Sequence, residues 1–137
     1  MSPLRGEHQV GLVYILAFGV LGVVARYGVG LTVSAYFASE FPWATFGINI
    51  IGSFLIGVIY VTAAERSMLS PELKVGLMVG LLGGFTTFSA YCLETFRMVE
   101  EGRYFYAALY WVSSPVCGVG AAFAGAFIMR KLFGVLG

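Results

Sequence analysis

The chain has 137 residues, of which 59% are apolar and 11% charged, and its net charge is +1. Soluble domains run at roughly 45–50% apolar and about 25% charged, so a water-soluble domain is excluded for want of charge to cover its surface. Disorder is excluded by the same apolar excess, and a net charge of +1 offers no basic patch for nucleic acid.

What remains is an integral membrane protein, with a mean hydropathy of +0.89 and room for about four to five spans of about 20 residues. Charges delimit those spans. None appears between Glu7 and Arg26, nor between Arg26 and Glu40. Residues 41–64, 75–93 and 104–129 are likewise uncharged. Each run crosses roughly 30 Å of hydrocarbon at about 1.5 Å per residue. The reading is an all-α membrane protein, a single transmembrane domain over 1–137, with helices over about 10–37, 42–64, 72–98 and 104–132. Arg5 followed by an apolar run from Val10 imitates a signal peptide. The run outlasts a h-region of about 15 residues and three more spans follow, so it is read as the first span.

The connections are short: 38–41, 65–70 and 100–103. Short links make neighbouring helices antiparallel and put both termini on one side. In the second link Ser70 is placed to cap a helix, Pro71 suits its first position and Glu72 its positive end. The terminal side holds Arg5, Arg66, Lys74, Arg130 and Lys131; the other holds Arg97, Arg103 and, depending on its depth, Arg26. That lean towards termini inside is mild, and so small a bias permits insertion in both orientations.

Gly76, Gly80 and Gly84 recur every four residues, as do Ser114, Gly118, Ala122 and Ala126. Each series makes a smooth stripe for close helix packing. Four helices are too thin to enclose a pore alone, so the stripes suggest a homo-oligomer, with packing inside one chain as the alternative. Cys92 and Cys117 lie in apolar runs and are expected as small buried thiols. There is no Asp and a single His, which removes most metal and acid–base chemistry.

The third span holds the strongest local signal, Gly83-Gly84-Phe85-Thr86-Thr87-Phe88-Ser89. Glycine disfavours helix, and Thr and Ser can bond the backbone in its place. A break is expected here, with an intact helix as the alternative. Carbonyls freed by a break could coordinate a cation. Phe88 and Tyr91 share a helix face, and aromatic edges are weakly positive, enough to solvate a small anion; plain packing is the other reading. Asn49 offers two N–H donors at membrane depth, either to a ligand or as interhelical glue. Tyr110 and Ser114 share a face of the fourth span, either as a hydroxyl track that passes an ion or as two hydroxyls bonded to backbone, and Pro115 kinks the helix or loosens a carbonyl nearby. Arg26 falls about 24 Å beyond Val10 along the helix, to snorkel or to guard an anion-concentrating vestibule. Glu94 and Arg97, three apart, are expected to pair near the membrane edge.

The Gly-Gly-Phe-Thr-Thr-Phe-Ser run, followed by Glu94-Thr95, resembles the signature of the small bacterial fluoride channels, the Fluc or CrcB family. The resemblance extends to Leu21-Gly22 ahead of Arg26, to Asn49-Ile50-Ile51-Gly52-Ser53, to Glu101-Gly102 and to Tyr110 with Ser114. It implies an antiparallel, dual-topology homodimer with two pores, multi-pass in the bacterial cytoplasmic membrane and not an enzyme. Fluoride, brought in as uncharged HF, leaves passively down its gradient. It implies a structural sodium ion held by the backbone carbonyls of Gly83 and Thr86. The implied pore lining is Asn49, Phe88, Tyr91, Ser89, Tyr110, Ser114 and Thr45, with Arg26 at the vestibule. Tyr91 and Ala90 depart from the family's usual Phe and hydroxyl residue.

Such a lining supplies donors and ring edges without Lys or Arg, which matches a strongly hydrated anion without trapping it. A four-helix drug and proton exporter is the first rival; it wants a carboxylate near the midplane, and none stands at the centre of a span. A non-transporting membrane scaffold is the second, and needs the small-residue stripes but neither the break nor Asn49.

Overall fold

The structure, a computed structural model, describes residues 3–37 and 39–134, and for residues 3–8 the backbone alone. Arg5, counted above with the terminal charges, therefore lies outside the described side chains, and Ala38 of the first link outside the described residues. The described chain is helical, and no strand occurs among the described residues.

Helix α1 runs Pro3–Tyr36. Helix α2, Trp43–Tyr60, continues into a wider π-helical turn, Val61–Glu65. The third span begins with α3, Pro71–Val75, widens to π-helix over Gly76–Leu82, and ends its first half in α4, Gly83–Phe85. Its second half is α5, Phe88–Glu100, and the fourth span is α6, Tyr104–Leu132. Among the described residues, four stretches are long and apolar enough to cross a membrane: Gln9–Tyr36, Trp43–Glu65, Pro71–Glu100 and Tyr104–Leu132.

Local chemistry explains the boundaries. Ser70 Oγ accepts from the Leu73 amide at 3.2 Å, and Pro71 follows at the first helical position, where its missing N–H costs nothing. Between α5 and α6, Gly102 takes φ 74° while Arg103 N–H returns to the Met98 carbonyl at 2.8 Å. That left-handed closure is one that glycine adopts without a Cβ penalty.

Both small-residue stripes pack inside the chain, against the expectation that they face a second copy. Gly76, Gly80 and Gly84 lie against α1: a Cβ on Gly80 would meet the Ile15 carbonyl oxygen at 2.7 Å, and one on Gly84 the Gly19 oxygen at 2.7 Å. The α6 stripe lies against α2, where a Cβ on Gly57 would meet the Ala122 oxygen. Small residues bring backbones together because lipid provides no hydrophobic drive of its own, so packing comes from close contact.

A small core gathers Phe41, Tyr91, Met98, Ala107 and Tyr110. Elsewhere large apolar side chains point outward, among them Val24, Tyr27, Trp111 and Phe123. Cys92 and Cys117 are exposed rather than buried: their apolar neighbourhoods belong to the outer surface, which suits lipid as well as a core would.

Candidate functional site

The break in the third span organises the site. Thr86 and Thr87 are extended, with ψ of 159° and 116°. Thr87 Oγ1 accepts from the Ala90 amide at 3.2 Å and so caps α5. From α2, Asn49 grips the same residue twice. Its Oδ1 accepts from Thr87 N–H at 2.9 Å, and its Nδ2 donates to the Thr87 carbonyl at 3.1 Å. An amide side chain thus supplies the pairing that a neighbouring strand would give, and backbone that leaves the helix at membrane depth is satisfied by protein.

These diversions release particular carbonyls. In a continuous helix the Gly83 carbonyl would take the Thr87 amide, and the Thr86 carbonyl the Ala90 amide. Asn49 holds the first and the Thr87 hydroxyl the second. The Gly84 carbonyl, whose own partner would be Phe88, accepts from Arg26 Nε at 3.0 Å. Arg26 is therefore half-buried against the break, with part of its guanidinium engaged in capping.

A cavity of about 400 Å³ opens beside the break, lined by Asn49, Gly83, Thr86, Phe88, Tyr91 and Ser114 among others. The Phe88 and Tyr91 rings are 5.5 Å apart between centres. Phe88 is 76% exposed and Tyr91 7%, so one ring faces outward and the other closes the wall. Ser114 is buried.

Beyond Tyr91 lies a polar cluster. Tyr110, fully buried, meets the Tyr91 ring edge-on at 5.1 Å. Its hydroxyl donates to Glu94 Oε2 at 2.8 Å, and Thr45 Oγ1 donates to Glu94 Oε1 at 2.6 Å. Among the sequence-derived candidates, Asn49, Phe88, Tyr91, Ser114, Gly83 and Thr86 thus share one cavity, while Thr45 and Tyr110 meet at Glu94 behind the Tyr91 ring, outside that lining. Ser89 is exposed, 3.5 Å from the Thr87 hydroxyl, and outside the cavity lining. Arg26 stands on the α1 side of the break.

The expected Glu94–Arg97 pair is not formed among the described residues. Glu94 turns inward to the two hydroxyls and Arg97 is exposed. Glu94 is the residue that sequence reasoning placed at the edge and the structure places in the cluster. Its signal was available: Phe88, Tyr91 and Glu94 follow at intervals of three on one face. The full ion pairs lie at the ends of the bundle, where Arg130 meets Glu65 and Arg103 lies between Glu40 and Glu101.

Comparison with known proteins identifies the family. The family model described as CrcB-like protein, Camphor Resistance (CrcB), matches residues 13–126. The chain is 48% identical over 118 residues to a protein of Acidithiobacillus ferrooxidans named fluoride-specific ion channel FluC, covering 86% of this chain and 94% of that one. A protein of the same name from Geobacter sulfurreducens is 42% identical over 118 residues, 86% of this chain and 95% of its own. Another from Agrobacterium fabrum is 38% identical over 125 residues, 91% of this chain and all of its own. With its four apolar spans and its interrupted third helix, the chain is a multi-pass membrane protein that belongs to the CrcB-like family.

Proposed function

We propose that the protein is a passive fluoride channel that lets the anion leave the cell across the bacterial cytoplasmic membrane and so relieves its toxicity. The observation that carries this reading is the lining of one cavity by the Asn49 amide, the Ser114 hydroxyl and two aromatic rings, with the Tyr110, Thr45 and Glu94 cluster packed behind the Tyr91 ring. The names of the relatives support the choice of ion.

Fluoride surrenders a tight hydration shell on entering the bilayer. Amide and hydroxyl donors and ring edges replace it piecemeal, and none is a full cation on which the ion would stick. Glu94 accepts from the Tyr110 and Thr45 hydroxyls and holds both in place behind the Tyr91 ring. Asn49 keeps a second N–H beyond the one bonded to Thr87, available to the cavity it borders. Conduction of this kind consumes no ATP and makes or breaks no covalent bond.

A sodium ion fits the break, because the Gly83 and Thr86 carbonyls are hard oxygen donors deprived of their helical amides. Those two residues of each copy would hold it. When bound, the ion supplies positive charge in a low-dielectric setting, which lowers the cost of an anion nearby. An antiparallel second copy would cover the exposed Phe88 ring and complete the path, and the weak charge bias between the two ends supports insertion in both orientations.

The test is efflux from liposomes holding purified protein, followed with a fluoride electrode. The expected result is passive fluoride release with chloride retained. Equal release of chloride, or retention of both, contradicts the proposal.

A further inference from the structure

Tyr91 lies in the cavity wall, yet its hydroxyl is engaged elsewhere. It donates to the Trp111 carbonyl of α6 at 2.8 Å. That carbonyl is four residues ahead of Pro115, which lies inside α6. Proline has no amide hydrogen, so it cannot close the helical bond to the carbonyl four residues back. A carbonyl left without a partner at membrane depth is costly. The tyrosine hydroxyl, coming from α5, supplies the missing donor.

We infer that the Tyr91 hydroxyl is reserved for the Trp111 carbonyl, filling the gap that Pro115 opens, so that Tyr91 offers a passing anion its ring edge alone. Tyr91 is thus a positioning residue. Tethering its far end to α6 fixes the tilt of the ring relative to Phe88 and Tyr110. The anion clause rests on the channel reading; the tether does not.

The test reads one carbonyl. Labelling with 13C-carbonyl Trp and 15N Val selects Trp111 alone, because Trp111 precedes Val112 whereas Trp43 precedes Ala44. In the full-length protein in lipid, Tyr91→Phe is expected to move that carbonyl resonance upfield as its hydrogen bond is lost. The same change should lower the folded-to-unfolded ratio roughly three-fold, the usual size of one hydrogen bond in a membrane. Adding Pro115→Ala restores the amide four residues on, so the double variant should recover both the resonance and the stability. In the unaltered protein, fluoride should leave the resonance in place. An unmoved resonance in Tyr91→Phe overturns the tether. An upfield shift on adding fluoride overturns the statement that the anion receives only the ring edge. If vesicles retain fluoride, the channel reading fails while the carbonyl still decides the tether.

Discussion

Asn49 holds Thr87 by both ends of its amide, and a change of one atom there is informative. Asn49→Asp turns the donor facing the Thr87 carbonyl into an acceptor and adds a negative charge to the cavity. Like charges about 4 Å apart repel by about 4 kcal/mol at an effective dielectric of about 20. Fluoride efflux is therefore expected to fall at least about ten-fold, and undiminished efflux in the same liposomes would remove Asn49 from the path. Tyr110→Phe leaves Glu94 with the Thr45 hydroxyl as its remaining partner of the two. Hydrogen bonds to charged groups contribute about 1.5–3 kcal/mol, so a loss of that order is expected in denaturant unfolding, together with slower efflux. At this scale the sequence was legible for residue type and less so for partner. Asn49, Tyr110 and Thr45 stand out as polar groups in apolar runs. That Glu94 binds two hydroxyls rather than Arg97 depends on how α2 and α6 converge, and spacing along α5 alone does not contain that. The Tyr91–Trp111 bond is similarly hidden, because the missing amide of Pro115 advertises a gap without naming the donor that fills it.

The elements show the same division. The run from Gly83 to Ser89 announces an interruption through its own chemistry, and α4 and α5 are separated at Thr86 and Thr87. The glycine stripes announce close packing, but a stripe carries no address, and both turned out to serve neighbours in the same chain. The stripe on the third span also sets up Arg26, since the approach of α1 to Gly84 brings the guanidinium to the Gly84 carbonyl. Gly84→Ala would place a Cβ 2.7 Å from the Gly19 carbonyl oxygen, a backbone atom that cannot swing aside. Overpacking of this kind costs about 1–3 kcal/mol. Gly30→Ala, with nothing within 4 Å of its Cβ, serves as the control, and is expected to be neutral or to stabilise α1 by up to about 1 kcal/mol. Thermal unfolding of the two variants in detergent compares them; equal midpoints would show that α1 does not rest on the break.

For the whole molecule, composition decided the environment before any motif was read: a chain 59% apolar and 11% charged folds with large apolar side chains outward. The arrangement of four spans leaves the Phe88 ring 76% exposed beside the cavity, where the proposed second copy would cover it. The central claim is that neutral donors and ring edges along this path accept fluoride and refuse the larger, less basic halide. It is tested most directly by the reversal potential of the purified protein in a planar bilayer with fluoride on one side and chloride on the other. The account predicts a potential that follows the fluoride gradient and does not respond when chloride is varied. A potential that tracks chloride, or the absence of any protein-dependent current, would contradict it.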